Sequence, residues 1–456
     1  MGFIRKIIPA WALAGYHKSL AVLANYFYGR PSEKLIVIGV TGTNGKTSTC
    51  NFIAKILEEA GFKVGLASSA IFKIADEEWL NDKKITMLGR FALQKLILRM
   101  VQVGCQYAVI ETSSQGIEQF RHLGIHYDVC VFTNLTPEHI EAHGGFENYK
   151  KAKLKLFRHL ELLKHKNIRT QEHKNIKTIE KVIVANGDDK YAGEFLDFKV
   201  DNKIVYGINS SDQEFSIFNF QFSNNFQFIN TQNIIYKNSG VSFKVNDVKF
   251  DLNLFGQFNV YNSLAAMAVG ISQNIQFNVL KSALEKIKVM LGRMEFIETK
   301  KDFKVLVDYA PEPESMRQLF ETIKKHSLVQ DKIIHVFGSC GGGRDTARRP
   351  ILGELSAKNA DIQIITNEDP YDDDPNTIIE QVAEGAVKAG KVLGENLFKI
   401  LDRREAIKFA LSLAKPGDLV LLTGKGCEQA ICVANGCKLK WDEREVVREL
   451  LKESFF

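Results

Sequence analysis

Leu35-Ile36-Val37-Ile38-Gly39-Val40-Thr41-Gly42-Thr43-Asn44-Gly45-Lys46-Thr47-Ser48-Thr49 is the stretch from which the fold can be read. The apolar run Leu35 to Val40 has the composition of a buried parallel strand, and the pattern from Thr47 to Ala60 is helical. Between them lies a turn with two glycines. At a strand–loop–helix junction the free backbone N–H groups and the positive helix end converge on an anion. Lys46 adds a point charge and the Thr47 hydroxyl is placed to hold Mg²⁺, so the stretch reads as a site for a nucleoside triphosphate. The full GxxxxGK[ST] pattern would put glycine at position 40, where this chain has Val40, and the match is to the shorter TGTNGKT. A turn that merely joins strand to helix would account for Gly42 and Gly45 but not for Lys46 followed by Thr47.

A chain of 456 residues is long enough for two or three domains. Its 45% hydrophobic and 25% charged residues are ordinary for a globular protein. The formal charge of +6, from 60 basic and 54 acidic residues, favours anionic substrates but is too small and dispersed for nucleic acid. Seven cysteines without a CxxC pair imply reduced thiols and a cytoplasmic protein. Arg5 and Lys6 before the apolar run Ile7 to Gly15 superficially imitate a leader peptide. The aromatic segment Phe3 to Tyr28 reads instead as a helix packed on the first domain, with contact to a membrane surface as the alternative.

Beyond the opening strand and helix, strands are expected at Lys63–Ala67, Tyr107–Glu111 and Val129–Thr133, with a helix at Leu88–Val103. That order implies an α/β domain built on a parallel sheet, whose ligands gather at the carboxyl ends of its strands. The basic segment from Arg158 to Lys181 reads as a solvated excursion. Residues 198–255 alternate in the manner of antiparallel strands, an insertion with turns at NSSDQ and FSNN, followed by a helix at Val260–Asn274. A boundary near Arg293 then divides residues 35–292 from a second, Rossmann-like α/β domain at 293–456, and residues 1–34 form a helical segment. In the second domain strands are expected at Lys304–Val307, Lys332–Phe337, Asp361–Thr366 and Leu419–Leu422, and helices at Pro350–Asn359 and Thr377–Ala389.

Taken singly, Glu111 could be a surface carboxylate, His139 a satisfied polar residue and Lys153 a solvated lysine. In company they say more. TGTNGKT, ETSSQG, FTNLTPEHIEAHG, YKKAKLKLF, FGQFNVYNSLAA, LGRME, VDYAPEPESM, VFGSCGGGRDTARRP and GKGCEQ stand in this order along the chain. In content and order they resemble the motifs of the Mur ligase family, the ATP-dependent amino-acid ligases of peptidoglycan precursor synthesis. Within the family the likeness is to the synthetases that add the third residue, a diamino acid.

The resemblance implies a site as well as a reaction. Gly42, Thr43, Asn44, Gly45, Lys46, Thr47 and Ser48 would bind the ATP phosphates, with Lys46 as the phosphate-binding lysine. Thr47 and Glu111 would hold one Mg²⁺ and His139 a second. Lys153 matches a lysine that the family carbamylates, which turns an ammonium that would repel Mg²⁺ into an oxygen ligand it prefers. Asn259 and Asn262 match paired asparagines near the adenine, Arg293 an arginine reaching the phosphates, and Asp308 the ribose carboxylate. The implied chemistry is attack of a muramyl-peptide-like carboxylate on the γ-phosphate to give an acyl phosphate, which the amine of the amino acid then attacks. Arg293 and Asp308 lie beyond the boundary, so the domains are expected to close on one another.

Three departures qualify the match. Family members carry a UDP-sugar-binding domain before the phosphate loop, and about 35 residues are too few for one. The acceptor could thus be UDP-linked, lipid-linked or neither. The family's DNPR appears as Glu368-Asp369-Pro370-Tyr371, and Tyr371 cannot offer the arginine fork that pairs with the distal carboxylate of diaminopimelate. A substrate with a plain ammonium end, such as lysine, then comes into play, favoured by the negative charge of Asp369 and of the acidic run Asp372 to Asp374, although that run also suits a solvated helix N-terminus. Arg344, Arg348 and Arg349 remain open to a carboxylate. Gly424 and Glu428 match positions that contact the amino acid; Cys427 and Pro311 each replace a family histidine. The chain reads as a monomer that uses ATP and Mg²⁺. A folylpolyglutamate-synthetase-like ligase and a non-catalytic nucleotide-binding module are the alternatives.

Overall fold

The strand Ile36–Thr41 is buried and has a parallel partner on each side, Tyr107–Glu111 and Val129–Phe132. A strand covered on both faces can afford no alternation, which is why its sequence is a continuous apolar run. The computed structural model describes residues 9–137, 140–169, 176–208, 226–343 and 346–453. The expected metal ligand His139, the expected substrate residue Arg344, and the turns NSSDQ and FSNN lie outside the described residues.

Around that strand grows an 11-stranded sheet. Its order is Val248–Leu252, Gly240–Val245, Phe226–Lys237, Asn202–Ile208, Val182–Asn186, Val129–Phe132, Ile36–Thr41, Tyr107–Glu111, Val64–Ala67, Ile71–Ile74 and Glu77–Leu80. From Phe226–Lys237 to Val64–Ala67 every pairing is parallel; the outermost strands at each edge are antiparallel. Residues 198–255 are therefore not a separate antiparallel insertion. Asn202–Ile208 pairs in parallel with both neighbours, and the antiparallel strands Gly240–Val245 and Val248–Leu252 extend the same sheet. A two-residue period reveals which side chains face a core but not which way the neighbouring strand runs.

Helices cover both faces. Lys46–Glu59 and Gln257–Ser272 pack Phe52, Ile56, Leu264 and Met267 onto one side; Arg90–Gln102 and Phe146–Leu162 pack Ile97, Met100, Leu156 and Phe157 onto the other. The first helix, Ala10–Phe27, rests on Arg90–Gln102 and on the 3₁₀ turn Arg121–Gly124. Among the described residues, no helix is long and apolar enough to cross a membrane.

The basic segment 158–181 is less solvated than its composition implies. Phe146–Leu162 runs into it, and Lys166–Arg169 pairs with Ile176–Ile179. Lys166 is buried: its ammonium donates to the carbonyls of Ser32, Leu35 and His126 at 2.7–3.0 Å and pairs with Asp128 at 2.6 Å. A buried ammonium needs such partners, and here they are the chain entering the phosphate-loop strand.

A second, six-stranded sheet runs Glu295–Ile297, Lys304–Val307, Leu419–Leu422, Ile333–Phe337, Ile362–Ile365, Leu397–Lys399, parallel except at its first pairing. Of the acidic run, Asp374 caps helix Pro375–Lys388 by accepting from Asn376 and Thr377 N–H, a structural duty favoured by the helix dipole. His326 bridges the two sheet systems. Its Nε2 accepts from Gly256 N–H at 3.0 Å and its Nδ1 donates to Lys237 O at 2.7 Å, which fixes a neutral ring.

Burial disfavours the charged form of several histidines, and of two most strongly. His335, between Ser356 and Thr423 hydroxyls at 2.8 and 2.9 Å, is pushed down to about 3 by burial and then by Arg403. His122 in the first domain is likewise pushed to about 3 by burial, His159 and Lys155. An unfolded imidazole titrates near ~6.5, so below that the unfolded chain binds the extra protons. Stability contributed by the neutral rings is complete above pH ~6.5 and is lost as pH falls toward 3. The urea midpoint is expected to drop steadily from pH ~6.5 to ~4.5; a midpoint that stays flat across that window would contradict the burial argument.

Candidate active site

A cavity of about 450 Å³ lies between the two sheet systems, within the usual size for small-molecule sites. The phosphate loop forms one wall. Gly45 has φ +81°, and a Cβ there would stand 2.5 Å from Asn262 Oδ1. Glycine is thus required twice over, by conformation and by the approach of helix Gln257–Ser272. Thr133 Oγ1 donates to Asn44 O at 2.7 Å and Asn134 Oδ1 accepts from Asn44 N–H at 2.8 Å. The loop is so pinned to the end of the neighbouring strand, leaving the start of helix Lys46–Glu59 at the cavity.

Lys46, Thr47, Glu111 and Lys153 all line this cavity. Lys46 Nζ donates to Thr43 O at 2.6 Å. Glu111 is 1% exposed; its carboxylate accepts from Thr47 Oγ1 at 3.0 Å, Ser69 N–H at 2.7 Å and Ser69 Oγ at 2.9 Å. Lys153 stands inside helix Phe146–Leu162 rather than at its start, donates to Gly42 O at 2.6 Å, and lies 4.4 Å from the Tyr149 ring centroid. Of the expected nucleotide residues, Thr43, Asn44, Gly45, Ser48, Asn262, Arg293 and Asp308 also line the cavity. Asn259 stands one layer behind, where its Oδ1 accepts from Asn262 Nδ2 at 3.1 Å, and Gly42 presents its carbonyl to Lys153.

The opposite wall comes from the second sheet system. Arg293 stacks its guanidinium 4.4 Å from the Tyr309 ring centroid. Asp308 receives the N–H groups of Met294 and Ala310 at 2.7 and 2.9 Å, and burial raises its carboxyl against the pull of Arg293. Farther along lie Cys340, Glu368, Asp369, Tyr371, Cys427 and Glu428. Burial pushes the Cys427 thiol up to about 11, so it stays protonated.

The amino-acid end departs from the sequence reading in two ways. Arg348 and Arg349 are not open to a carboxylate: Arg348 is buried against Glu312, and Arg349 donates to Gln381 Oε1, Cys340 O and Asp373. A buried guanidinium needs local partners, and each of these has them within its own domain. Nor is Asp369 a bare attractor for a cation. It is buried, accepts from Lys425 Nζ at 3.0 Å and Cys432 N–H at 2.7 Å, and pairs with Lys84 from the other side of the cavity. Lys84 also stands 3.1 Å from Glu428. Burial would depress its ammonium, but Glu428 and Asp369 raise it well above the ordinary value. Against burial, Lys425 and Lys84 hold Asp369 below the usual carboxylate range. Gly424 does not line the cavity; at φ +100° its missing Cβ leaves room for Glu368, whose Oε2 would sit 2.4 Å from one.

Sequence reasoning missed Ser69, Lys84, Arg121 and Tyr309, all of which line the cavity. Ser69 and Lys84 lie on either side of the antiparallel edge Ile71–Leu80. Only the folding of that edge brings them to Glu111 and Glu428, so nothing local in the sequence marks them.

Residues 40–270 match the Mur ligase middle domain and residues 292–426 the Mur ligase, glutamate ligase domain. A UDP-N-acetylmuramyl-tripeptide synthetase of Roseiflexus sp. (strain RS-1) is 35% identical over 454 residues, 98% of this chain and 84% of that protein. A UDP-N-acetylmuramoyl-L-alanyl-D-glutamate–2,6-diaminopimelate ligase of Bacillus cereus is 32% identical over 97% of this chain and 84% of its own length. A solved diaminopimelate ligase of the same name superposes with a TM-score of 0.56 at 27% identity, covering 92% of this chain and 78% of that one. A Mycobacterium tuberculosis folylpolyglutamate synthase shares the fold, with a TM-score of 0.63 at 14% identity over 89% of this chain and 92% of its own. With a loop, a two-walled cavity and a likeness along nearly the whole chain, the chain belongs to the Mur ligase family of ATP-dependent ligases.

Proposed function

We propose that this chain joins an amino acid, a diamino acid such as lysine or diaminopimelate, to a muramyl-peptide-like carboxylate at the expense of ATP. One observation carries the reading: Lys46, Thr47, Glu111 and Lys153 from one sheet system face Arg293, Asp308 and Glu428 from the other across a single cavity.

The residues suit the nucleotide and its ion. Thr47 and Glu111 supply the oxygen donors that Mg²⁺ prefers, and Lys153, once carbamylated by CO₂, would add another. Bound there, Mg²⁺ supplies positive charge against the phosphoryl oxygens. Lys46 and the N–H groups at the start of its helix hold the triphosphate, and Arg293 meets it from the far wall. The acceptor carboxylate oxygen then forms a bond to the γ-phosphorus as the bond to the β-bridging oxygen breaks, leaving ADP. The amine of the amino acid displaces phosphate from the acyl phosphate and loses a proton, which yields the amide. Asp308 would orient the ribose, and Glu428 with Tyr371 would line the amino-acid end. The folylpolyglutamate alternative rests on shared fold alone.

Four outcomes test this. Incubated with ATP, an amino acid and a UDP-muramyl dipeptide, the chain is expected to give a product heavier by one amino-acid residue. Lys46→Met or Glu111→Gln should each cut turnover roughly 10²–10³-fold; ATP hydrolysis without transfer to any amino acid would refute the reading. Tyr371→Arg should raise kcat/KM for diaminopimelate relative to lysine by about tenfold or more, the scale of a charge-assisted fork, and an unchanged ratio would place the distal end elsewhere. Lys84→Met removes the cation that ties Asp369 and Glu428 across the cavity, so its radius of gyration without substrates should exceed that of the parent chain in solution scattering. Identical curves would show that Lys84 does not hold the domains together.

A further inference from the structure

The first helix, Ala10–Phe27, is packed the wrong way round for a surface helix. Its inward face is made of small residues, Ala21 and Ala24 at 1% and 0% exposure, while Tyr16, Val22, Leu23, Tyr26 and Phe27 point out at 45–71% exposure. These positions recur at three and four residues, so they form one stripe along the helix. The stripe continues onto the next helix, where Phe91 is 38% exposed with its ring 6.1 Å from that of Phe27. Scattered exposed apolar side chains need no explanation, but a contiguous aromatic and aliphatic stripe does.

The charges around the stripe identify what would cover it. The first 32 residues carry Arg5, Lys6, Lys18 and Arg30 and no Asp or Glu, and the first carboxylate after them, Glu33, stands 3.7 Å from Arg30. Within the described residues, Lys18 is exposed and its ammonium lies 5.0 Å from the Phe120 ring centroid; Arg30 stacks 4.3 Å from that of Tyr26, and Lys95 is exposed on the helix that carries Phe91. Basic groups flanking exposed Tyr, Phe and Leu are the signature of a helix that lies in the headgroup region of an anionic bilayer without crossing it. A second copy is a poor fit, because a two-fold contact through this face would bring Lys18 and Arg30 near their own counterparts with few carboxylates to answer them.

We infer that the outward face of helix Ala10–Phe27, with Phe91, Lys18, Arg30 and Lys95, is a docking surface for an anionic lipid bilayer. The helix rests on the turn Arg121–Gly124, and Arg121 lines the catalytic cavity, so docking sets that end of the cavity one helix layer from the headgroups. The inference is independent of which amino acid or acceptor the ligase uses.

Flotation of the full chain with phosphatidylcholine vesicles, with and without about a third phosphatidylglycerol, tests it. Co-flotation with the anionic vesicles is expected, weakening as salt is raised. Two variants with exposed side chains, Leu23→Ser/Phe27→Ser and Lys18→Glu/Arg30→Glu, should each lower binding roughly tenfold or more while leaving the melting temperature unchanged. Failure of the parent chain to float with anionic vesicles would overturn the inference. So would binding that survives in both variants, or a dimer in light scattering that Leu23→Ser/Phe27→Ser converts to monomer.

Discussion

Glu111 sits where almost no water reaches it, and a carboxylate so placed has to be answered by donors. Three converge on it: the Thr47 hydroxyl, and the N–H and hydroxyl of Ser69. They come from two segments far from Glu111 in sequence, so the site exists only when the phosphate-loop helix, the strand Tyr107–Glu111 and the edge turn at Ser69 are all in place. Removing one donor group from a buried charge costs roughly 1–3 kcal/mol. That is a large share of the stability of an ordinary domain, and it explains why the fold of the first sheet and the geometry of its ligand site are not separable. Lys153 obeys the same rule from the opposite sign, donating to the carbonyl of Gly42 and lying over the ring of Tyr149.

The second wall is organised by the same need. Arg403 and Glu443 form a fully buried pair at 2.6 Å, and Arg403 also donates to Thr423 O at 2.7 Å, the strand end that leads into Gly424. Lys425 bridges Asp369, Glu428 and the carbonyl of Ala430. Buried pairs of this kind contribute little net stability but cost roughly 3–5 kcal/mol when one partner is removed. They hold the amino-acid end in one arrangement without requiring an apolar core behind it.

Much of this was legible in the sequence, for reasons that can be stated residue by residue. The strand Ile36–Thr41 and helix Lys46–Glu59 declare themselves because burial on both faces forces a run of apolar residues and the loop needs Gly45. Glu111 and Thr133 could be placed at strand ends, which in a parallel sheet all point the same way. Lys166 and Lys181 could not, since a lysine that threads into backbone carbonyls has the same local sequence as a solvated one. The direction of Asn202–Ile208 was invisible because alternation carries no sign. Arg348 and Arg349 looked available for the related reason that composition does not show a partner such as Glu312 or Gln381, distant in sequence.

Lys84 presses the point furthest, because it joins the two sheet systems. Its ammonium lies on an edge of the first sheet system, yet the carboxylates that raise it belong to the second. An incoming ammonium therefore meets Asp369 and Glu428 already neutralised by Lys84 and Lys425, and charge attraction alone cannot select a lysine-like end. Two further groups line the cavity there: Glu368, which accepts from the Cys340 thiol at 2.8 Å, and Tyr371, held at φ +52° with its N–H on Cys432 O at 3.1 Å. A tyrosine in that strained backbone position presents a flat, weakly polar wall where an arginine would present a fork. This part of the cavity is thereby walled by a tyrosine and by Glu368 beside two carboxylates that Lys84 and Lys425 already answer, so the lysine that crosses between the sheet systems decides how much negative charge it presents.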